Sequence, residues 1–326
     1  VTGDAPTVVL GGTGAMGSRV VRRILATGTG DVRVLTRAPL SPKARTLAEL
    51  SDRVRLVPGD LDDSVSLEVV MAGAARAFCN TDFFATGSVP GEIRQGRAAL
   101  EAARAAGLDR VVWSSLDSAA GLTGGAVPVP HYDSKAAVAA WIAAHRADEA
   151  MRLVDDGFFT HHVSILTTAP YFENFTDKLS PIRRSLRDGR DGLHFALPLG
   201  DGRYPQIALD DIAWFVDHML RHWQSWGARD LAVVGDSLTG REIAATFEEI
   251  TGVACEYLDL KLDVLAASMP EVGHDYAALA AFLQRRDVFA LDRDVAVLRR
   301  MHPGLQTFRD WLVADGATAV LDSARR

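Results

Sequence analysis

Residues 8–17 read Val8-Val9-Leu10-Gly11-Gly12-Thr13-Gly14-Ala15-Met16-Gly17, and the reading of this stretch decides the fold. Thr7 to Leu10 is a short apolar run, as expected of a buried strand. Gly11, Gly14 and Gly17 follow as G-x-x-G-x-x-G. Without Cβ atoms the backbone can turn sharply there and approach a pyrophosphate closely. From Ala15 to Ala26 the periodicity is helical, with Val20, Val21, Ile24 and Leu25 on one face. The start of that helix would aim free N–H groups and a positive dipole end at bound phosphates. Asp31 to Leu35 then closes a strand–helix–strand unit. A plain tight turn would not need three spaced glycines, each of which costs backbone entropy. We therefore expect a dinucleotide site at Gly11, Thr13, Gly14, Ala15, Met16 and Gly17.

Outward from this unit the same alternation continues. Pro42 to Leu50 reads as helix, Val54 to Val57 as strand, Asp63 to Ala72 as helix and Ala75 to Cys79 as strand. Gly91 to Ala106 reads as a long helix stopped by Gly107, Arg110 to Ser114 as strand, Ser134 to Arg146 as helix and His161 to Thr167 as strand. Such alternation predicts an α/β fold, a Rossmann doubly wound parallel sheet. The second half is less regular. Gly189 to Gly202 reads as a loop or short hairpin. Ile207 to Leu220 and Gly240 to Thr251 read as helices, Leu231 to Val234 as a strand, and Leu262 to Trp311 as mostly helix. This predicts a smaller, mostly helical C-terminal subdomain. The division expected is a Rossmann domain over residues 1–160 and a substrate- or partner-binding part over 161–326. That part is interleaved with the sheet through strands near 161–167 and 231–234.

The chain has 326 residues, of which 48% are hydrophobic, enough for a substantial core. A formal charge of −7 argues against nonspecific nucleic-acid binding, which favours a basic surface. No apolar run is long enough to span a bilayer, and no leader-like segment is seen. With two cysteines, Cys79 and Cys255, no disulfide scaffold is implied, so a cytoplasmic protein is expected. No zinc-type spacing is present, and no metal is expected. His161 and His162 would alternate faces in a strand and could not easily share one.

The tip of the second strand selects the dinucleotide. NAD sites usually place an acid there to accept from the ribose 2′-hydroxyl. Here the chain reads Val34-Leu35-Thr36-Arg37. A guanidinium clasps a 2′-phosphate where a carboxylate would repel it. NADP(H) is thus the expected cofactor, with Arg37 as its 2′-phosphate ligand and Lys43 assisting. Otherwise both are solvated surface charges. Asp60 and Leu61, after strand three, should lie at the adenine edge, although acids in Gly59-Asp60-Leu61-Asp62-Asp63 also suit a helix cap. Asn80 and Thr81, after strand four, should face the middle of the cofactor. Phe172 reads as a core residue, and Asp210 and Asp211 as helix caps.

These residues carry a resemblance to the NmrA-like proteins, an atypical branch of the short-chain dehydrogenase/reductase superfamily. It extends through Val111-Val112-Trp113-Ser114-Ser115, His131-Tyr132-Asp133-Ser134-Lys135, Pro170-Tyr171-Phe172-Glu173-Asn174-Phe175, Leu291-Asp292-Arg293-Asp294 and Trp311-Leu312. Among members, the chain most resembles the NADPH-sensing, HSCARG-type proteins. The resemblance implies a Rossmann domain, a smaller C-terminal subdomain and a preference for NADP(H). Typical dehydrogenases of the superfamily pair a tyrosine with a lysine four residues later. Here His131 stands four before Lys135 and Tyr132 three before it. The resemblance implies Lys135 as a ribose and nicotinamide contact. His131 or Tyr132 would then be the proton donor, with capping or packing as the plainer role for the histidine. Ser114 or Ser115 could polarise a carbonyl, or either could satisfy backbone at the strand end. Tyr171, Phe172, Glu173 and Asn174 should border the nicotinamide or substrate, with the core as the plainer place for Phe172.

Two functions are compatible with this reading. One is an NADPH-dependent reductase of a small carbonyl, enone or imine compound. The other is a non-catalytic redox sensor that reports the NADPH/NADP+ ratio to a regulated protein. Expected partners are accordingly a small-molecule substrate or that protein, with a homodimer as an option and no membrane.

Overall fold

Val8 and Val9 are fully buried, and their strand is the hinge of the fold. The computed structural model describes residues 5–227, 229–285 and 292–324. The first elements are β1 (Thr7–Val9), α1 (Ala15–Thr27), β2 (Val32–Thr36), α2 (Pro42–Ala48), β3 (Val54–Pro58) and α3 (Ser64–Met71). They are followed by β4 (Arg76–Cys79), α4 (Phe83–Thr86), α5 (Val89–Ala105) and β5 (Arg110–Ser115). Then come α6 (Ala119–Leu122), α7 (Pro130–Met151), α8 (Phe158–His161) and β6 (Val163–Thr167). Six of these strands run in the spatial order β6-β5-β4-β1-β2-β3, and the strand Leu231–Ala232 adds a seventh beside β6. All five pairings among the six are parallel. This is the Rossmann order, in which the direction of strand addition reverses between β1 and β4 and opens a crevice at their carboxyl ends.

Two compact units are present. The first comprises the described residues within Val1–Ser118, Pro130–Thr167 and Ile212–Leu231. Its core joins Val8 and Leu10 to Leu67, Val70, Leu100, Val111, Trp113, Val138, Ile142 and Phe159. Each fully buried aliphatic or aromatic side chain of this kind contributes about 1.5–3 kcal/mol relative to exposure. The second unit comprises the described residues within Ala119–Val129, Thr168–Asp211 and Ala232–Arg326. It holds an aromatic cluster in which Phe172, Phe175, Phe195, Phe247 and Phe308 are all buried. Helices dominate it, but two small sheets join them. One pairs Arg203–Gln206 with Asp236–Thr239, and the other aligns Ile182–Ser185, Asp191–Leu197 and Cys255–Asp259.

Several boundaries differ from the sequence reading, each for a local reason. Helix α5 begins at Val89 because the Ser88 side chain accepts from Gly91 N and Pro90 is tolerated in the first turn. Helix α7 begins four residues earlier than expected, with Pro130 as its first residue. Proline suits that position because the first N–H has no helical acceptor in any case. His131 and Tyr132 are therefore in a helical first turn. His161 and His162 are not in a strand: His161 ends α8 and His162 caps it. Within the loop or short hairpin expected from Gly189 to Gly202 the chain forms the strand Asp191–Leu197, which pairs antiparallel with Ile182–Ser185 before it. Asp211 is not a simple cap: it is buried, bonded to His302 at 2.8 Å and to the backbone N of Gln306 at 3.0 Å. In the late motif, Leu291 lies outside the described residues. No helix among the described residues is long and apolar enough to cross a membrane.

Candidate functional site

The glycine loop leaves β1 at the crevice. Gly11 has φ +72°, a left-handed conformation that favours glycine, and a Cβ there would lie 3.0 Å from the Asn80 carbonyl oxygen. Gly17 lies where a Cβ would overlap the Gly11 carbonyl, so its absence lets α1 start directly against the loop. Gly14 caps α1 without a side-chain hydrogen bond, and the first turn holds no acid. The first helical bond runs from Ser18 N to Gly14 O at 3.0 Å. The N–H groups of Ala15, Met16 and Gly17 thus have no acceptor within the helix, and the positive end of a 13-residue helix faces outward. These donors and the glycine cradle fit a diphosphate.

The tips of β2 and β3 carry Arg37 and Asp60. Arg37 Nε lies 3.9 Å from Asp60 Oδ2, and the side chains are 65% and 39% exposed. Such an open, long pair contributes little energy and holds the guanidinium only weakly. Asp60 also accepts from Asp62 N at 3.0 Å, while Asp63 caps α3. Both readings of the acidic stretch therefore coexist on neighbouring residues. Leu61 packs on the core of this unit. Lys43 is exposed in the first turn of α2.

The end of β4 brings Asn80 and Thr81 against Lys135 of α7. Lys135 Nζ lies 2.8 Å from Thr81 O, 2.9 Å from Thr81 Oγ1, 3.3 Å from Asn80 Oδ1 and 2.9 Å from Glu92 Oε1. Lys135 is thus not a surface helix lysine; only 8% of it is exposed, and Glu92 is fully buried. Burial lowers the Lys135 pKa from the ordinary lysine value, against the opposing pull of Glu92. Thr81 Oγ1 donates to Glu92 Oε1 at 2.7 Å, and Ser134 Oγ donates to Glu92 Oε2. Asn80 therefore lies close to the glycine loop, and Asn80, Lys135 and Glu92 are joined by direct contacts. Trp113 anchors the lysine from below, its indole N–H donating to Lys135 O at 3.3 Å.

The remaining site residues are placed as follows. His131 is half-buried among rings, 5.6 Å from Phe84 and 4.8 Å from Tyr132 between centroids. Tyr132 is 2% exposed. Ser114 is also buried, its hydroxyl 3.6 Å from the Met16 sulfur. In the second unit, Tyr171 bridges to Ile207 and precedes a short 3-10 helix containing Asn174. Asn174 there hydrogen-bonds the buried Tyr204 hydroxyl, whose pKa burial pushes up.

Sequence reasoning missed Glu92 and Ser134. A signal for Glu92 exists, because the buried stripe of α5 runs Glu92, Gln95, Gly96, Ala99 and Ala103. An acid on the apolar face of a helix needs a cationic partner.

Strand order, glycine cradle and helix N-terminus define a Rossmann-type protein with a dinucleotide-binding crevice. The sequence profile of the NmrA-like family matches residues 5–312. The chain belongs to that family. It is 28% identical over 276 residues to the NmrA-like family domain-containing oxidoreductase himF of Aspergillus japonicus, covering 82% of this chain and 78% of the relative. It is 26% identical to the corresponding oxidoreductase FrzB of a Cladobotryum species, covering 76% of this chain and 74% of the relative. Among solved structures it superposes on NmrA, a negative transcriptional regulator in complex with NADP. There the TM-score is 0.74 and the identity 18%, over 98% of each chain. It also superposes on the Escherichia coli NADPH-dependent quinone oxidoreductase QOR2 complexed with NADPH. That TM-score is 0.69 at 18% identity, over 97% of this chain and 99% of the other. At such identity the likeness concerns the fold.

Proposed function

We propose that this protein binds NADP(H) and reduces a small carbonyl, enone or imine compound. The observation that carries the reading is Asn80, close to the glycine loop and in direct contact with the buried Lys135. A buried ammonium, a helix N-terminus with free N–H groups and a strand-tip arginine, all at the carboxyl ends of one sheet, suit a ligand with several negative charges and a polar ribose. The diphosphate would rest on the N–H groups of Ala15 to Gly17, with Thr13 and Gly14 in the turn, and the 2′-phosphate on Arg37 with help from Lys43. The curated relatives named above are oxidoreductases, and the two solved neighbours bind NADP and NADPH, which supports the same choice.

When bound, the nicotinamide supplies the hydride. The chain supplies position, polarity and a proton. Lys135 holds Asn80 and Thr81 against the crevice and presents its charge toward the ribose. His131, in the first turn of α7, is the proposed proton donor, with Tyr132 the second choice. Tyr171 and Asn174 are proposed to border the substrate. The division into a cofactor-binding part over residues 1–160 and a substrate part over 161–326 belongs to this proposal.

One observation favours the sensor reading. Lys135 Nζ already has four acceptors within 3.3 Å, so a ribose hydroxyl must displace one of them. In that reading a protein partner prefers one cofactor-bound state. The test is NADPH oxidation across carbonyl, enone, imine and quinone compounds, with cofactor affinity measured in parallel. Turnover that falls at least a hundred-fold in His131→Ala, with cofactor affinity kept, supports the reductase. Cofactor binding with no turnover on the whole panel overturns it in favour of the sensor.

A further inference from the structure

Opposite the glycine loop, at the amino ends of the same strands, the first unit has a second cavity of about 250 Å³. Its walls include Thr7 at the start of β1, Arg76 at the start of β4 and Arg110 at the start of β5. Asp217 and Arg221, from the helix Leu209–Arg221, complete it with Thr27. Three arginines therefore face one small space in a chain whose net charge is −7.

The carboxylate in this wall offsets them only in part: Asp217, with Asp109, pulls the Arg76 pKa up, against the larger effects of burial and of Arg110 and Arg221. Asp217 is 5% exposed and is held by Arg23 at 3.2 Å, whose side chain does not line the cavity, and by the Thr27 hydroxyl at 2.9 Å. Arg110 spends one N–H on Leu220 O at 2.8 Å, and Arg221 spends one on Thr27 O at 2.9 Å. Both bonds cap helix C-termini, which is a sufficient structural role for one donor each. A guanidinium has five donors, so most N–H groups of Arg110 and Arg221 have no protein acceptor among the described residues. Arg76 is held below the ordinary arginine range, first by burial and then by repulsion from Arg110 and Arg221. A structural set of caps does not require three like charges to converge. An oxyanion between them would relieve that repulsion and take bidentate bonds.

We propose that this cavity is an anion site that binds a phosphate group, free or carried by a small molecule, between Arg76, Arg110 and Arg221. It is smaller than the pockets that hold drug-sized ligands and admits a phosphate with a few waters. Because it lies at the strand ends remote from the glycine loop, it can be filled together with the cofactor crevice. The inference stands without the NADP(H) reading.

The experiment is thermal denaturation and calorimetric titration with inorganic phosphate and with glycerol phosphate, against chloride at matched ionic strength. Saturating NADP+ keeps phosphate off the glycine loop. The wild type should gain thermal stability with phosphate. Arg110→Gln and Arg221→Gln should each weaken phosphate binding tenfold or more while leaving NADPH affinity unchanged. Tighter binding of glycerol phosphate than of phosphate assigns a phosphomonoester, and the reverse assigns the free ion. Arg221 is exposed, so its variant tests the idea even where Arg110→Gln fails to fold. No response of the wild type to either anion overturns the proposal. An equal response in wild type and both variants also overturns it. So does binding of a labelled nucleic-acid duplex with no response to phosphate.

Discussion

Lys135 and Arg37 both bring positive charge to the carboxyl ends of one parallel sheet, in opposite physical settings. The Lys135 side chain is 11% exposed and 2.9 Å from Glu92, whose side chain is fully buried. The Arg37 side chain is 65% exposed and 3.9 Å from Asp60, itself 39% exposed. The first pair is desolvated and locked by Thr81 and Ser134. The second is wet, loosely held and free to turn to a ligand. A desolvated pair fixes geometry, because either partner alone is a buried charge. An exposed arginine sets which ligand is preferred at little cost to the fold. In the function proposed above, the site thus separates scaffold from selectivity.

The largest expected effect breaks the buried pair. Lys135→Ala or Glu92→Ala should each lower unfolding free energy by about 3–5 kcal/mol, measured by denaturant titration. The double variant Lys135→Met with Glu92→Gln should recover part of that loss. A cost under about 1 kcal/mol for either single change would make the two pairs alike and undo the contrast. Next in size, Gly17→Val should remove measurable cofactor affinity, since its side chain would overlap the Gly11 carbonyl. Undiminished NADPH binding by that variant would show that the loop is not the diphosphate seat.

Arg37→Ala should weaken NADPH binding roughly ten- to a hundred-fold, from the loss of a charge-assisted contact, and leave NADH nearly unchanged and the fold intact. Parallel titrations check it; equal losses for both cofactors would mean that Arg37 does not read the 2′-phosphate. The smallest effect is expected from Asp60→Asn. Removing a competing carboxylate from an exposed pair should tighten NADPH by roughly two- to five-fold. Weaker binding instead would show that Asp60 orients Arg37.

The first half of the fold was legible because each buried strand and amphipathic helix declares itself over a few residues. The parallel, doubly wound sheet followed from rules that apply to any such alternation. The small sheets of the second unit were not. Ile182–Ser185 is exposed along its length and Asp236–Thr239 reads Asp-Ser-Leu-Thr, so neither shows a clear buried face in sequence. Non-local pairing creates them, and propensity does not announce it. The start of α7 was misjudged because Pro130 looks like a stop until its place in the first turn is known.

Lys135 came from the family resemblance; from the order of residues alone came the βαβ unit, the glycine cradle and the acid-free tip at Thr36-Arg37. All are local patterns whose chemistry depends on neighbours in the chain. The partner of Lys135 came from folding. Glu92 is 43 residues upstream, and only the packing of α5 beside α7 brings the two charges together out of water. The arginine-lined cavity has the same origin, since β4, β5 and the helix Leu209–Arg221 meet there from far apart in the sequence. Coulomb interactions depend on distance and dielectric, and neither is known until the chain has closed around the charges.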